Sequence, residues 1–224
     1  MNRDNKNVVT IEDPVEYHID NVTQVQMNPA VNLTFAQAIK TFLRQDPDII
    51  LVGEIRDNET AEAAIQASLT GHLVLSTLHT NDSPTAIARL IEMEVEPFLI
   101  SSSLAVVIGQ RLVRKICPNC QEEVEADDYI KSTYAKAGYN ITKYLKGKGC
   151  PNCFNTGYRG RIGIFEMLEI TDTLRSLINK RASSYDIKEA ARKEGFMTMF
   201  EYGASLVAKG ITTPSEVLSV TKVD

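Results

Sequence analysis

No apolar run in the 224 residues approaches the about 18 needed to cross a bilayer, so no membrane-spanning helix is expected. Low-complexity tracts and repeats of fixed period are also missing, which excludes a disordered linker and a solenoid. Charge of one sign is in no large excess: 24 Lys and Arg stand against 29 Asp and Glu, interspersed, for a net charge of -5. That balance argues against a protein built to coat nucleic acid, though not against one that binds a single nucleotide. The stretch from Met1 to Val9 holds neither an apolar leader core nor a cleavage site. The expected address is therefore a reducing cytoplasm, with any membrane association supplied by a partner. Histidine is scarce, with three in the chain, and His18 is given no role. What is present is a hydrophobic content of 43%, enough for one α/β domain and a smaller appendage.

The pattern alternates strand and helix. The β-branched run Asn7 to Ile11 meets Glu12, Asp13 and Pro14, and proline ends the ladder. Tyr17 to Met27 reads as a hairpin or an irregular loop. Thr34 and Gln37 form a capping pair ahead of a helix with Phe35, Ile39, Phe42 and Leu43 on one face. The continuous apolar run Ile49 to Val52 predicts a strand covered on both faces. A helix from Asn58 to Leu69 closes at Gly71, and His72 to Thr80 reads as another buried strand. Helices are expected from Ser83 to Met93 and from Phe98 to Val113. Right-handed crossovers place such strands parallel in one sheet. Their C-terminal tips then share an edge, where open α/β sheets bind ligands. Glu12 and Asp13, Glu54 and Arg56, and His79 are expected around one crevice. Each alone is equally explained as a polar residue ending a strand; their coincidence on one edge favours a site.

Three segments, "TIEDPVE" (Thr10 to Glu16), "LRQDPDIILVGEIRD" (Leu43 to Asp57) and "TGHLVLSTLHTND" (Thr70 to Asp82), resemble the Asp box, Walker B and His box of the ATPases of type II secretion and type IV pilus assembly, the GspE/PilB family. The resemblance implies an α/β, RecA-like P-loop NTPase core, truncated and mainly parallel. It implies ATP with Mg²⁺ as cofactor, a homo-hexamer as working unit, and an inner-membrane platform protein as partner at the cytoplasmic face. By it, Glu54 is the carboxylate near Mg²⁺ and the attacking water. Glu12 orients or deprotonates that water, and His79 contacts the γ-phosphate. Asp13, Glu16, Arg56 and, less directly, His72 are the implied cofactor-binding residues. Phosphoryl transfer asks for little else from protein than a placed water, a metal and positive groups around spreading charge. One part of that machinery is lacking: no G-x-x-x-x-G-K-[ST] occurs in the sequence. The chain is thus expected to be a C-terminal fragment beginning just downstream of that loop, with Met1 an added start. It is expected to bind ATP poorly, hydrolyse it negligibly, and carry an open sheet edge.

All four cysteines lie in two copies of "CPNC", Cys117 with Cys120 and Cys150 with Cys153. Two such knuckles supply the S₄ shell that Zn²⁺ prefers, and the long intervening loop is tolerated because closure entropy grows slowly. Two redox dithiols or structural disulfides are the competing readings, disfavoured by the twin copies and the reducing address. Between the knuckles an acidic stretch leads to a helix from Ala126 to Ala137. Gly157, Gly160 and Gly163 punctuate an expected short hairpin bearing Arg159 and Arg161, and helices follow at Leu174 to Lys180, Tyr185 to Glu194, Met199 to Ala208 and after Thr213. The implied organisation is an ATPase core at 1–115, a tetracysteine zinc lobe at 116–154, and a hairpin with a helical tail at 155–224. A zinc-containing interaction module on a degenerate ATPase scaffold is the alternative, from a different functional class.

Overall fold

The computed structural model describes residues 5–223. Residues 1–4, with the expected added start at Met1, and residue 224 lie outside the described residues. In chain order the elements are β1 (Val8–Glu12), β2 (Thr23–Gln26), α1 (Phe35–Phe42), β3 (Ile49–Val52), α2 (Asn58–Leu69), β4 (Leu73–Ser76), α3 (Ser83–Glu92), α4 (Pro97–Ser103) and β5 (Val106–Ile116). They continue with β6 (Gln121–Glu125), α5 (Asp128–Lys136), β7 (Lys143–Gly147), β8 (Tyr158–Glu169), α6 (Asp172–Asn179), α7 (Ser184–Lys193), α8 (Met199–Ala208) and α9 (Pro214–Val220). The chain divides into two compact units, residues 1–107 with 169–190, and residues 108–168 with 191–224.

The first unit is built on a four-stranded sheet in the order β2-β1-β3-β4, with every neighbouring pair parallel. Val9, Ile11, Ile50 and Val52 of the central strands are at most 1% exposed. They join Phe35, Ile39 and Phe42 of α1 and Ala63, Ala64 and Ala67 of α2 in one core. The alanines let α2 lie close to the sheet. Its N-cap is Asp57, whose carboxylate accepts from the Thr60 amide at 2.8 Å. Only Gly53 to Arg56 thus separate the end of β3 from that cap, so whatever the strand delivers is held close to a fixed helix start. Thr34 caps α1 as its spacing predicts, accepting from Gln37 N.

In the second unit β5 pairs with β8, and Val113 and Ile164 pack on Met199 and Leu206 of α8. β6 and β7 form an antiparallel pair, Gln121 opposite Gly147. Tyr134 of α5 is fully buried against Phe200 of α8, with ring centroids 5.3 Å apart. Thr198 and Glu201 complete a reciprocal capping box on α8.

Several expectations are corrected. The helix expected from Phe98 to Val113 ends at Ser103, and β5 begins at Val106. The hydroxyls of Ser101, Ser102 and Ser103 turn back onto the carbonyls of Phe98 and Leu99, an alternative to continuing helix. The following residues alternate in burial with period two, as a paired strand requires. The segment Tyr17 to Met27 contains no hairpin; its second half is β2, parallel to β1. The acidic stretch Gln121–Glu125 is strand β6, its charges matched by Lys143 and Lys148. The short hairpin is instead the first part of the long strand β8. β4, expected to be buried, is an edge strand among the described residues, with Leu73 48% and Leu75 37% exposed. An apolar run reports what a strand is fit to be covered by, and here the sheet stops at that strand.

Candidate functional site

The parallel ladder carries β1, β3 and β4 to one rim, and short backbone bonds extend the register past the strands. Gly53 N donates to Ile11 O at 2.8 Å, and Ile55 N donates to Thr77 O at 3.0 Å. Thr77 Oγ1 donates to Gly53 O at 2.7 Å, tying the segment after β4 to the segment after β3. A Cβ on Gly53 would lie 3.2 Å from Ile11 O and 3.4 Å from the Glu12 Cα. Glycine at this position therefore keeps the two strand tips in close approach beside the carboxylate that follows.

That carboxylate, Glu54, has a side chain only 10% exposed and two cationic or potentially cationic neighbours. Oε1 pairs with the Arg56 guanidinium, and Oε2 lies 3.1 Å from His79 Nε2. The Arg56 hydrogen bond holds the Glu54 carboxyl below the usual glutamate range; burial works against this, and the bond to His79 supports it. Arg56 in turn is held more firmly protonated by Glu54, with a smaller contribution from Asp13. A nearly buried carboxylate is tolerable because both oxygens are matched. His79 itself, 84% exposed at its side chain, reaches outward from the same cluster. Glu12, half-buried at the neighbouring tip, accepts on Oε1 from Thr10 Oγ1 at 2.5 Å and Gln24 Nε2 at 3.0 Å.

The structure thus brings Glu12, Glu54, Arg56 and His79 to one edge. Asp13 and Glu16 are exposed in the connection that leaves β1 at this edge. His72 is not among them. It precedes β4, at the opposite end of the sheet, where Nδ1 lies 2.8 Å from Ala67 O and 3.1 Å from Thr70 Oγ1. Thr10, Gln24 and Thr77 were not foreseen. Thr10 was findable, because residues two apart on a strand share a face, whereas Gln24 needed knowledge of β2.

In the second unit the four cysteine sulfurs lie within 4.8 Å of one another. Cys117 to Cys150 and Cys120 to Cys153 are each 3.9 Å, and Cys150 to Cys153 is 3.7 Å. A disulfide needs about 2.05 Å, whereas four thiolates at about 2.3 Å from one tetrahedral ion stand about 3.8 Å apart. Burial pushes the Cys120 thiol up to about 12. It acts the same way on Cys153, but amides of Cys150 and Gly157 donating to that sulfur bring it down to about 6. The donor set and its spacing fit a closed S₄ shell.

An open parallel α/β sheet with a matched carboxylate cluster at its C-terminal edge, and a separate tetrathiol cluster, defines the architectural class. The chain belongs to the Type II/IV secretion system protein family, whose model matches residues 1–219. It is 51% identical over 218 residues to the type IV pilus assembly ATPase PilB of Thermus thermophilus, covering 96% of this chain and 24% of that protein. It is 46% identical over 222 residues to the type II secretion system ATPase E of Vibrio cholerae, covering 99% of this chain and 44% of that protein. Among solved structures, the pilus retraction motor PilT with bound ADP matches at a TM-score of 0.68 and 26% identity, over 96% of this chain and 52% of the other. The chain therefore spans from about a quarter to half the length of these relatives. Among the described residues no helix is long and apolar enough to cross a membrane.

Proposed function

We propose that these residues form the distal part of the nucleotide site of a hexameric ATPase that powers type II secretion or type IV pilus assembly at the cytoplasmic face of the inner membrane. The observation that carries this reading is the Glu54 carboxylate, nearly buried yet matched on both oxygens, at the tip of β3 beside Glu12. In the proposed site Glu54 organises the Mg²⁺ and water side of ATP, and Glu12 orients the attacking water and takes its proton. His79 and Arg56 answer the charge spreading over the transferred phosphoryl group. Asp13 and Glu16 line the approach. His72 takes no part, because it belongs to the other end of the sheet. The phosphate-binding loop comes from sequence outside these 224 residues, and the platform protein of the membrane machine is the partner. The chain by itself turns over ATP negligibly.

The functional parts follow the sequence: a core at 1–115, a zinc lobe at 116–154, and a tail at 155–224. In the lobe Cys117, Cys120, Cys150 and Cys153 hold one Zn²⁺, which closes the loop between the knuckles and leaves no open position for chemistry. In the full-length protein, Glu54→Ala should lower ATP turnover at least 100-fold while nucleotide affinity stays within about threefold, because the carboxylate acts on the water and metal. Unchanged turnover would reject the assignment. The lack of a G-x-x-x-x-G-K-[ST] pattern favours one second reading, a zinc-containing interaction module on a degenerate ATPase scaffold. A full-length protein that neither binds nor hydrolyses ATP would establish that alternative.

A further inference from the structure

The surroundings of Glu12 carry an inference about how that carboxylate is aimed. Thr10 and Glu12 lie two apart on β1 and share a face, and the parallel register sets Gln24 of β2 directly across from Thr10. Both donors, the Thr10 hydroxyl at 2.5 Å and the Gln24 amide at 3.0 Å, go to the same oxygen, Oε1. The rest of the Gln24 amide is also engaged: Nε2 donates to Tyr17 O at 3.0 Å, and Oε1 accepts from Ile19 N at 2.7 Å. Both amide hydrogens and the carbonyl are thereby committed, which fixes which way the group faces. The connection from β1 to β2, which contains Asp13 and Glu16, is tied to the Glu12 carboxylate through this one side chain.

We propose that Thr10 and Gln24 are positioning residues for Glu12: they anchor one carboxylate oxygen and present the other to the attacking water. The proposal rests on the reading of Glu12 given above. Neither residue touches the reacting atoms. Each restricts rotation of a side chain whose productive orientation is one among several, and orientation of this kind is worth orders of magnitude in rate.

The test uses the full-length ATPase. Gln24→Ala and the isosteric Thr10→Val should each lower kcat about 10- to 100-fold with KM for ATP within about twofold, whereas Thr10→Ser, which keeps the hydroxyl, should retain most of the rate. In a Glu12→Gln background the same Gln24→Ala change should alter the residual rate by less than about twofold, since its effect runs through the missing carboxylate. If Glu12→Gln leaves turnover intact, the reading of Glu12 fails and the positioning role falls with it. If Glu12→Gln abolishes turnover while Gln24→Ala and Thr10→Val do not lower kcat, or Gln24→Ala lowers the residual rate of Glu12→Gln by its full single-variant factor, positioning alone is overturned. A readout independent of activity is hydrogen exchange in the 224-residue chain. Gln24→Ala should speed exchange at the Ile19 amide with little change at β3, and an unchanged Ile19 rate overturns the tie to the connection.

Discussion

Arg114 and Glu216 meet twice, through the Arg114 backbone amide at 2.9 Å and its guanidinium at 2.6 Å. The guanidinium also sits over the Tyr158 ring, 4.1 Å from its centroid. The Arg114 hydrogen bond holds the Glu216 carboxyl below the usual range against an opposing push from burial. Because the folded-state value is depressed, this stabilisation is complete above the ordinary glutamate value of 4.5 and fades as pH falls through the folded value. Glu216→Gln should therefore lose about 1–3 kcal/mol near neutral pH. In urea melts the variant and the parent should converge below pH 4.5. Equal gaps at both pH values would count against the ion pair. Thr213 and Glu216 also show where sequence reading stops at this scale. The helix expected after Thr213 is α9, and Thr213 Oγ1 accepts from Glu216 N at 3.4 Å, but the Glu216 carboxylate goes to Arg114 instead of returning to the cap. A local motif names a helix start; it does not know about a partner 102 residues away. The candidate site follows the same rule. Glu12, Glu54, Arg56 and His79 could be read because each lies at or just past a strand tip. Of the donors that aim Glu12, Thr10 shares its strand and face, whereas Gln24 depends on a pairing between strands that no local pattern announced.

Among the elements, the strands joined by helices were legible because burial on both faces and helical periodicity leave strong local signatures. β5 was not, since a run from Phe98 to Val113 rich in apolar residues satisfies either period until pairing with β8 decides it. The lobe built on β6 and β7 was legible in its ligands and in its helix, expected from Ala126 to Ala137 and found as α5, but not in its strands. Its closure depends on a backbone contact: a Cβ on Gly147 would stand 2.1 Å from Gly157 O and 2.6 Å from its Cα, and Gly157 has φ +77. No side chain can yield there to make room. Gly147→Ala should accordingly prevent the second knuckle from seating, so that zinc retained after gel filtration falls from one ion per chain to well below half. Gly138→Ala is the control, since its added Cβ meets nothing within 4 Å at φ +79. Loss there should be limited to backbone strain of about 1–2 kcal/mol, with zinc retained. Full zinc retention in Gly147→Ala would show that seating the second knuckle does not depend on this backbone contact.

For the whole molecule, the sheet order β2-β1-β3-β4 leaves the outer flank of β4 without a neighbouring strand among the described residues. Leu73 and Leu75 stand exposed along it. Charge on an edge is the usual defence against pairing between chains, and here it is lacking. Leu75→Lys in the 224-residue chain should shift light-scattering mass toward the monomer at high concentration without lowering the melting temperature by more than a few degrees. Self-association that ignores the substitution would clear β4 of blame. A strand in this condition accepts company without discrimination, and an extended stretch from a bystander polypeptide satisfies its donors and acceptors as well as a cognate one. Ring-like particles made by these residues alone therefore speak of a seam left unsewn, until the lysine variant forms them too.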